Sequence, residues 1–125
     1  MDAYGHVNNA VYLTYLEDCR DGWAQGLFGS ATQSWNFVLA HVGIDYRRQL
    51  TQDDGEVVVR CRLASFGRSS LRTKEEIVML DGTLAAEAEA VVVPRDPQAD
   101  RARPLTERER ELLQAELDRD GRSVR

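Results

Sequence analysis

The chain is poor in the residues that metal and redox chemistry uses, with two cysteines and two histidines among 125 residues. Cys19 and Cys61 lie far apart and fit no metal-ligand spacing. Cys19 falls on a helical apolar face and Cys61 on a strand face, so both read as small core residues, a usage that suits a reducing compartment. No metal and no cofactor is expected. Long apolar runs are also missing: nothing approaches the ~18–20 residues that cross a bilayer, and the first residues hold no apolar signal core. A soluble, cytoplasmic protein with no membrane partner is therefore expected. A basic surplus is absent too. Sixteen Lys and Arg face twenty-one Asp and Glu, a net charge of -5, which argues against nucleic acid as a partner.

What is present is ordinary globular material, 42% hydrophobic and 30% charged, in a length that closes one core but not two. After "GHVNN", Tyr12, Tyr15, Leu16, Cys19 and Trp23 recur at three- and four-residue steps. That spacing predicts one helix, N-capped by Asn8 or Asn9 and stopped near "QGLFG" by Gly26 and Gly29. From Asn36 to Pro94 the pattern reads as strands. "FVLAHVGIDYRRQL" is β-rich, with Gly43 a bulge or a point of close approach. In "EVVVRCRLASF", Val57, Val59, Cys61 and Leu63 share one face and Arg60 and Arg62 the other. "GRSS" is a turn before "LRTKEEIVML", and Asp81-Gly82 signals a hairpin into "TLAAEAEAVVV". Leu84, Ala86, Ala88, Ala90 and Val92 would share a face there. Alanine is a poor strand former, so a run of it calls for something bulky lying close, and the first helix is the available element. The residues alone thus give an α+β fold, one helix on a four-stranded antiparallel meander.

The tail changes character. Pro94, Pro97 and Pro104 interrupt regular structure, and Thr106 with Glu109 forms a capping-box signature. Leu112, Leu113 and Leu117 give the terminal helix a narrow apolar stripe, so it is expected to pack loosely or fray. The division follows: a domain over 1–97 and a charged tail with a short helix over 98–125.

The chemistry concentrates in the opening segment. A helix start presents unpaired N–H groups with partial positive charge, suited to an oxyanion. Gly5 just before it would let a substrate approach the backbone. Asp2 and His6 could supply a nucleophile or base beside that point. The same residues are also good turn and cap formers, and pattern alone leaves both readings open.

"DAYGHVNNAVYLTYLEDCR" resembles the signature of the hotdog-fold acyl-CoA thioesterases of the 4-hydroxybenzoyl-CoA thioesterase group, roughly Asp-x-x-Gly-His-Val-Asn-Asn followed by a Tyr-x-Glu helix. "IDYRRQL" is similar to that family's second strand, "AEAEAVVVPRD" to its last, and "RARPLTERER" to its basic-proline exit and terminal helix. The resemblance implies a sheet wrapped around one long central helix, homodimers or homotetramers with active sites between subunits, and hydrolysis of an acyl-CoA without metal. It places Asp2 on the catalytic carboxylate, as nucleophile or general base. The backbone N–H of Asn9 falls on the carbonyl-polarising position. His6 falls where related plant acyl-carrier-protein thioesterases carry an implicated histidine, and elsewhere in the group the position orders the loop. Arg68 and Ser69, in "GRSS", fall where the group often touches the CoA nucleotide, a role that a solvated turn would equally explain. Gly5 and Tyr12 complete the substrate-binding candidates, Tyr12 also reading as a packing residue.

Several other side chains read as structural. Of Arg47 and Arg48 at most one would face a ligand; His41 reads as a partly buried, satisfied histidine, and Glu17 with Arg20 as a helical pair. The family's usual first strand, ending in Trp-x-Asp-Met-Asp, is not seen before Asp2, which carries the expectation that the natural protein starts upstream. An alternative function is a non-catalytic acyl-CoA or acyl-carrier-protein binding module on the same fold.

Overall fold

The computed structural model describes residues 9–29, 37–48, 56–96 and 98–123. Its elements run α1 (Asn9–Phe28), β1 (Phe37–Tyr46), β2 (Val57–Phe66), β3 (Leu71–Met79), β4 (Leu84–Asp96), β5 (Arg101–Ala102) and α2 (Glu107–Ser123). This is the α+β arrangement read from the sequence, one long helix against an antiparallel sheet.

The strand order is β1-β4-β3-β2, with β5 paired to β4. Only β2, β3 and β4 form a meander; β1 lies beyond β4 instead of beside β2, which corrects the simple four-strand meander. The alanines give the physical reason. A meander would leave β4 at the edge, whereas this order puts it in the interior, where the buried Ala86 and Ala88 pack in one cluster with Tyr12 and Leu16 of the helix. β3 runs beside it, turning Leu71, Thr73, Glu75 and Ile77 inward.

α1 buries Tyr12, Leu16, Arg20 and Phe28, a stripe of four-residue steps in which Ala24 is half-buried. Tyr15 is exposed, off the expected face, and Arg20 takes a place on the buried stripe. Gly26 lies within the helix, which instead ends at Gly29, whose φ of 52° is the left-handed terminator glycine favours. The Asp81-Gly82 hairpin forms as expected. Gly82 N–H donates to Met79 O at 2.9 Å and Met79 N–H to Thr83 O at 2.8 Å, with Gly82 at φ 92°.

The irregularity in β1 falls between Leu39 and His41, where Ala40 is the extra residue, and not at Gly43. A side chain at Gly43 would meet only His41 Nε2 at 3.7 Å, so nothing approaches its backbone closely. His41 itself is exposed.

The core has two parts. One joins Tyr12 and Leu16 to Ile77, Met79, Ala85, Ala86 and Ala88. The other joins Phe28 to Leu63, Leu71, Val92, Leu105 and Leu113. The second includes the terminal helix, which is seated and not frayed. Leu113 is wholly buried, and the capping box is made in both directions: Glu109 N–H to Thr106 Oγ1 at 3.1 Å, and Thr106 N–H to Glu109 Oε1 at 2.8 Å. Arg103 adds a bidentate pair to the buried Glu109 at 2.9 and 3.0 Å. A narrow stripe suffices because the cap and this ion pair fix the helix start.

Candidate active site

α1 begins at Asn9, so the first backbone N–H groups of a 20-residue helix are presented there. Asp2, Gly5 and His6, expected to act beside them, lie outside the described residues, as does Asn8. One turn further on, Tyr12 is buried, its hydroxyl donating to Arg48 O at 3.2 Å and its ring meeting Tyr46 edge-on at 5.1 Å. Tyr12 therefore anchors the helix start to the end of β1. That strand end is itself pinned, since the N–H groups of Arg47 and Arg48 both donate to Ala85 O, at 2.8 and 3.0 Å. Arg48 turns its Nη1 to Met79 Sδ at 2.8 Å, while exposed Arg47 pairs with Glu87. The helix start is thus held on three strands at once.

Arg68 and Ser69 sit elsewhere. Their turn, closed by Gly67 N–H to Ser70 O at 2.9 Å, joins β2 to β3 at the end of the sheet where α1 finishes. Arg68 is exposed, and its carbonyl accepts from Leu105 N–H at 2.9 Å. Within one protomer these two residues and Asn9 occupy opposite ends of the molecule.

The feature that sequence reasoning missed lies between those ends. Arg20, expected to pair with Glu17 along the helix, instead reaches Glu75 on β3, with Nη2 2.7 Å from Oε1 and Nε 3.3 Å from Oε2. Thr73 Oγ1 donates to the same carboxylate. Arg20 is 7% exposed and Glu75 1%. Burial works against the Arg20 charge, but the hydrogen bonds and charge of Glu75 outweigh it and hold the guanidinium above its usual pKa. A signal was present: in "LRTKEEI" the inward positions Leu71, Thr73, Glu75 and Ile77 include a carboxylate, and a buried carboxylate needs a partner. Cys61 sits beside this pair. Burial, then the charge of Glu75, pushes its thiol up to about 12. Cys19 is shifted the same way for the same reasons, and its Sγ lies 3.5 Å from Val59 O.

Two concavities flank this layer. One, of about 240 Å³, runs between α1 and β1 and is lined by Arg20, Trp23, Phe28, Phe37, Leu71 and Val92 among others, with Glu17 and Asp21 at its rim. The other, of about 540 Å³, lies on the outer face of the sheet over Gly43, among charged side chains such as Arg62, Lys74 and Glu89. Among the described residues no group of three or more His, Cys, Asp and Glu is placed to hold a metal ion. No helix there is long and apolar enough to cross a membrane.

A long helix fixed on an antiparallel sheet is a frame that this chain shares with known thioesterases. Residues 1–115 match the model of the thioesterase-like superfamily. The chain belongs to that family, and it is a thioester hydrolase with the hotdog fold. It is 30% identical to the long-chain acyl-CoA thioesterase FadM of Escherichia coli K12, over 91% of this chain and 89% of that one. Among solved structures it is similar to a Thermus thermophilus thioesterase complexed with coenzyme A and zinc. That match has 35% identity and a TM-score of 0.79, covering 92% of this chain and 84% of the other. A predicted thioesterase from Bacillus stearothermophilus superposes with a TM-score of 0.81 at 26% identity, covering 92% and 86%.

Proposed function

We propose that the chain hydrolyses the thioester of a fatty or aromatic acyl-CoA, giving the free acid and the CoA thiol. The Asn9 N–H at the start of α1 polarises the thioester carbonyl. Asp2, seven residues before it, either attacks that carbonyl or takes a proton from the attacking water. His6 orders the approach or shares the proton. Gly5 leaves the carbonyl room to reach the backbone, and Arg68 and Ser69 meet the CoA nucleotide. The observation that carries the reading is the start of α1 at Asn9, the last residue of "GHVNN", with Tyr12 locking that start to β1. A fixed donor of this kind is worth ~3 kcal/mol of barrier.

The site is completed by a second copy. β1 pairs with β4 on one side, and among the described residues its other edge carries no strand, while Val38 and Leu39 stand exposed. Identical free edges pair antiparallel about a two-fold axis. α1 runs opposite to β1, Tyr12 lying at Tyr46 and Phe28 at Phe37. An antiparallel β1–β1 contact therefore sets the Phe28 end of one copy beside the Asn9 end of the other. Arg68 and Ser69, distant from Asn9 within a protomer, come toward it across that axis.

The test is thiol release from a panel of acyl-CoAs by the unaltered chain and by Asp2→Ala, with mass under native conditions measured alongside. Loss of turnover by at least about a thousandfold in a protein that still dimerises is expected. Full turnover by Asp2→Ala would remove Asp2 from the mechanism. Tight binding of acyl-CoA with no turnover by the unaltered chain would select a binding module instead.

A further inference from the structure

We infer that the groove between α1 and β1 receives the acyl group, and that Arg20 selects there for a neutral oxygen, a hydroxyl or a carbonyl, over a plain hydrocarbon of the same size. The inference rests on the thioesterase reading and names the substrate class of that site. The groove's volume of about 240 Å³ holds a chain or ring of about eight heavy atoms, taking a water's share of space for each. Most of its wall is apolar, from Trp23, Ala24, Phe28, Phe37, Leu71 and Val92, and Phe28 and Phe37 are stacked with centroids 5.0 Å apart. Flat and aliphatic groups both suit such a wall.

Arg20 is the exception in this lining. A guanidinium carries five N–H donors, and Glu75 engages it at Nε and Nη2 alone. Among the described residues Arg20 has no other hydrogen-bond partner, although only 7% of it remains exposed. Buried donors left without an acceptor destabilise a fold. A groove shaped only for alkyl chains would gain nothing by keeping them, whereas an oxygen on the bound group would satisfy them. A pocket that hydrogen-bonds a substrate oxygen discriminates far more strongly than one that merely has room for it. The sign of charge follows as well. Glu75 already neutralises Arg20, and Glu17 and Asp21 make the rim acidic, so a carboxylate is disfavoured and a neutral oxygen preferred.

The experiment compares kcat/KM for octanoyl-CoA with its hydroxylated and keto analogues, and for phenylacetyl-CoA with its para-hydroxy analogue. The unaltered protein is expected to favour at least one oxygenated partner by about tenfold or more, the scale of a hydrogen bond to a charged group. Arg20→Met alone strands Glu75, so the variant is Arg20→Met with Glu75→Met, an apolar replacement of the whole pair of the kind folds tolerate. Arg20→Leu with Glu75→Gln is the second variant, keeping an acceptor for the Thr73 hydroxyl while removing every guanidinium N–H group. In either, the oxygenated-to-plain ratio is expected to fall to near one. Equal rates for both classes in the unaltered protein overturn the inference, and so does an unchanged ratio in a folded variant. Failure to hydrolyse any acyl-CoA would instead defeat the thioesterase reading itself, and this inference with it.

Discussion

The two ends of α1 rest on differently built floors. Near Asn9 the helix lies on Ala85, Ala86 and Ala88, with Ile77 and Met79 beside them. Near Phe28 it lies among Leu63, Leu71 and Val92, and α2 closes over the same cluster through Leu105 and Leu113. Small side chains let the helix start sit close to the sheet, where one hydroxyl, that of Tyr12, reaches the backbone of Arg48. Large side chains and a second helix make the other end a clamp. The Asn9 end is thus held by closeness and the Phe28 end by bulk. Between them sits a single buried ion pair that belongs to neither cluster.

That middle layer predicts the largest effect. Arg20→Met leaves the Glu75 carboxylate buried without its cation, which costs about 3–5 kcal/mol, whereas replacing both residues by methionine costs little or nothing. Urea unfolding of the three proteins should show this as a large fall in midpoint for the single variant and near recovery for the double. If the single variant matched the unaltered chain, the pair would be solvated and the two core clusters continuous.

The clamp end comes next. Leu113→Ala opens a cavity under α2 and should cost about 2–5 kcal/mol, and because Leu113 packs with Phe28, Leu71 and Val92, which line the proposed acyl groove, any change in the folded enzyme should fall on KM with kcat retained. Ala86→Leu pushes in the opposite sense at the Asn9 end, where the proposed carbonyl donor lies. Overpacking there should cost about 1–3 kcal/mol and lift the helix start, so turnover should fall more than stability alone explains. Thermal melts paired with steady-state rates separate these outcomes. Equal activity losses in the two variants would erase the distinction between the ends.

Sequence patterning was informative where one residue type had one physical reason to be there. The alanine face of β4 pointed to a helix lying on it, Gly29 and Gly82 marked a terminator and a hairpin, and Thr106 with Glu109 marked the α2 cap. The α+β class was readable from the same stretches, and the thioesterase family from the opening "DAYGHVNNAVYLTYLEDCR". What the pattern missed depended on pairing across the fold. Arg20 sits three residues from Glu17, and local spacing could not reveal that Glu75, fifty-five residues away, was the better partner. Strand order was hidden for the same reason, since β1 meets β4 across the whole length of β2 and β3. His41 was misread because β1, an edge strand, leaves more of itself exposed than its apolar composition suggests. The carboxylate and histidine candidates, Asp2 and His6, rest on the sequence, since they precede the described residues.

A smaller effect isolates the α2 cap from its packing. Thr106→Ala removes the acceptor for Glu109 N–H and should cost about 1 kcal/mol, less than Leu113→Ala, without altering turnover. Chemical unfolding with an unchanged denaturant slope would confirm it. A loss as large as that of Leu113→Ala would mean that the cap, and not the buried leucine, holds the far end.

The smallest effect concerns Cys61, which lies against the middle layer. Its thiol is raised from the ordinary 9.0 to about 12, first by burial and then by the Glu75 charge. The unfolded chain therefore loses this proton before the folded one does. The stability that the neutral thiol protects is fully present below about pH 9 and is lost progressively as pH climbs from there towards about 12. Cys61→Ala lacks this component, so its stability should vary less steeply with pH: the unaltered chain loses stability faster above about pH 9. Urea midpoints for both proteins at neutral pH and near pH 10 measure the difference, and titrations elsewhere in the chain cancel in the comparison. Half-buried, Cys61 should also be alkylated by iodoacetamide more slowly in the folded state than in urea. Parallel pH profiles for the two proteins, or equal alkylation rates folded and unfolded, would place Cys61 in water and the Arg20–Glu75 layer nearer to solvent than the two cores it separates.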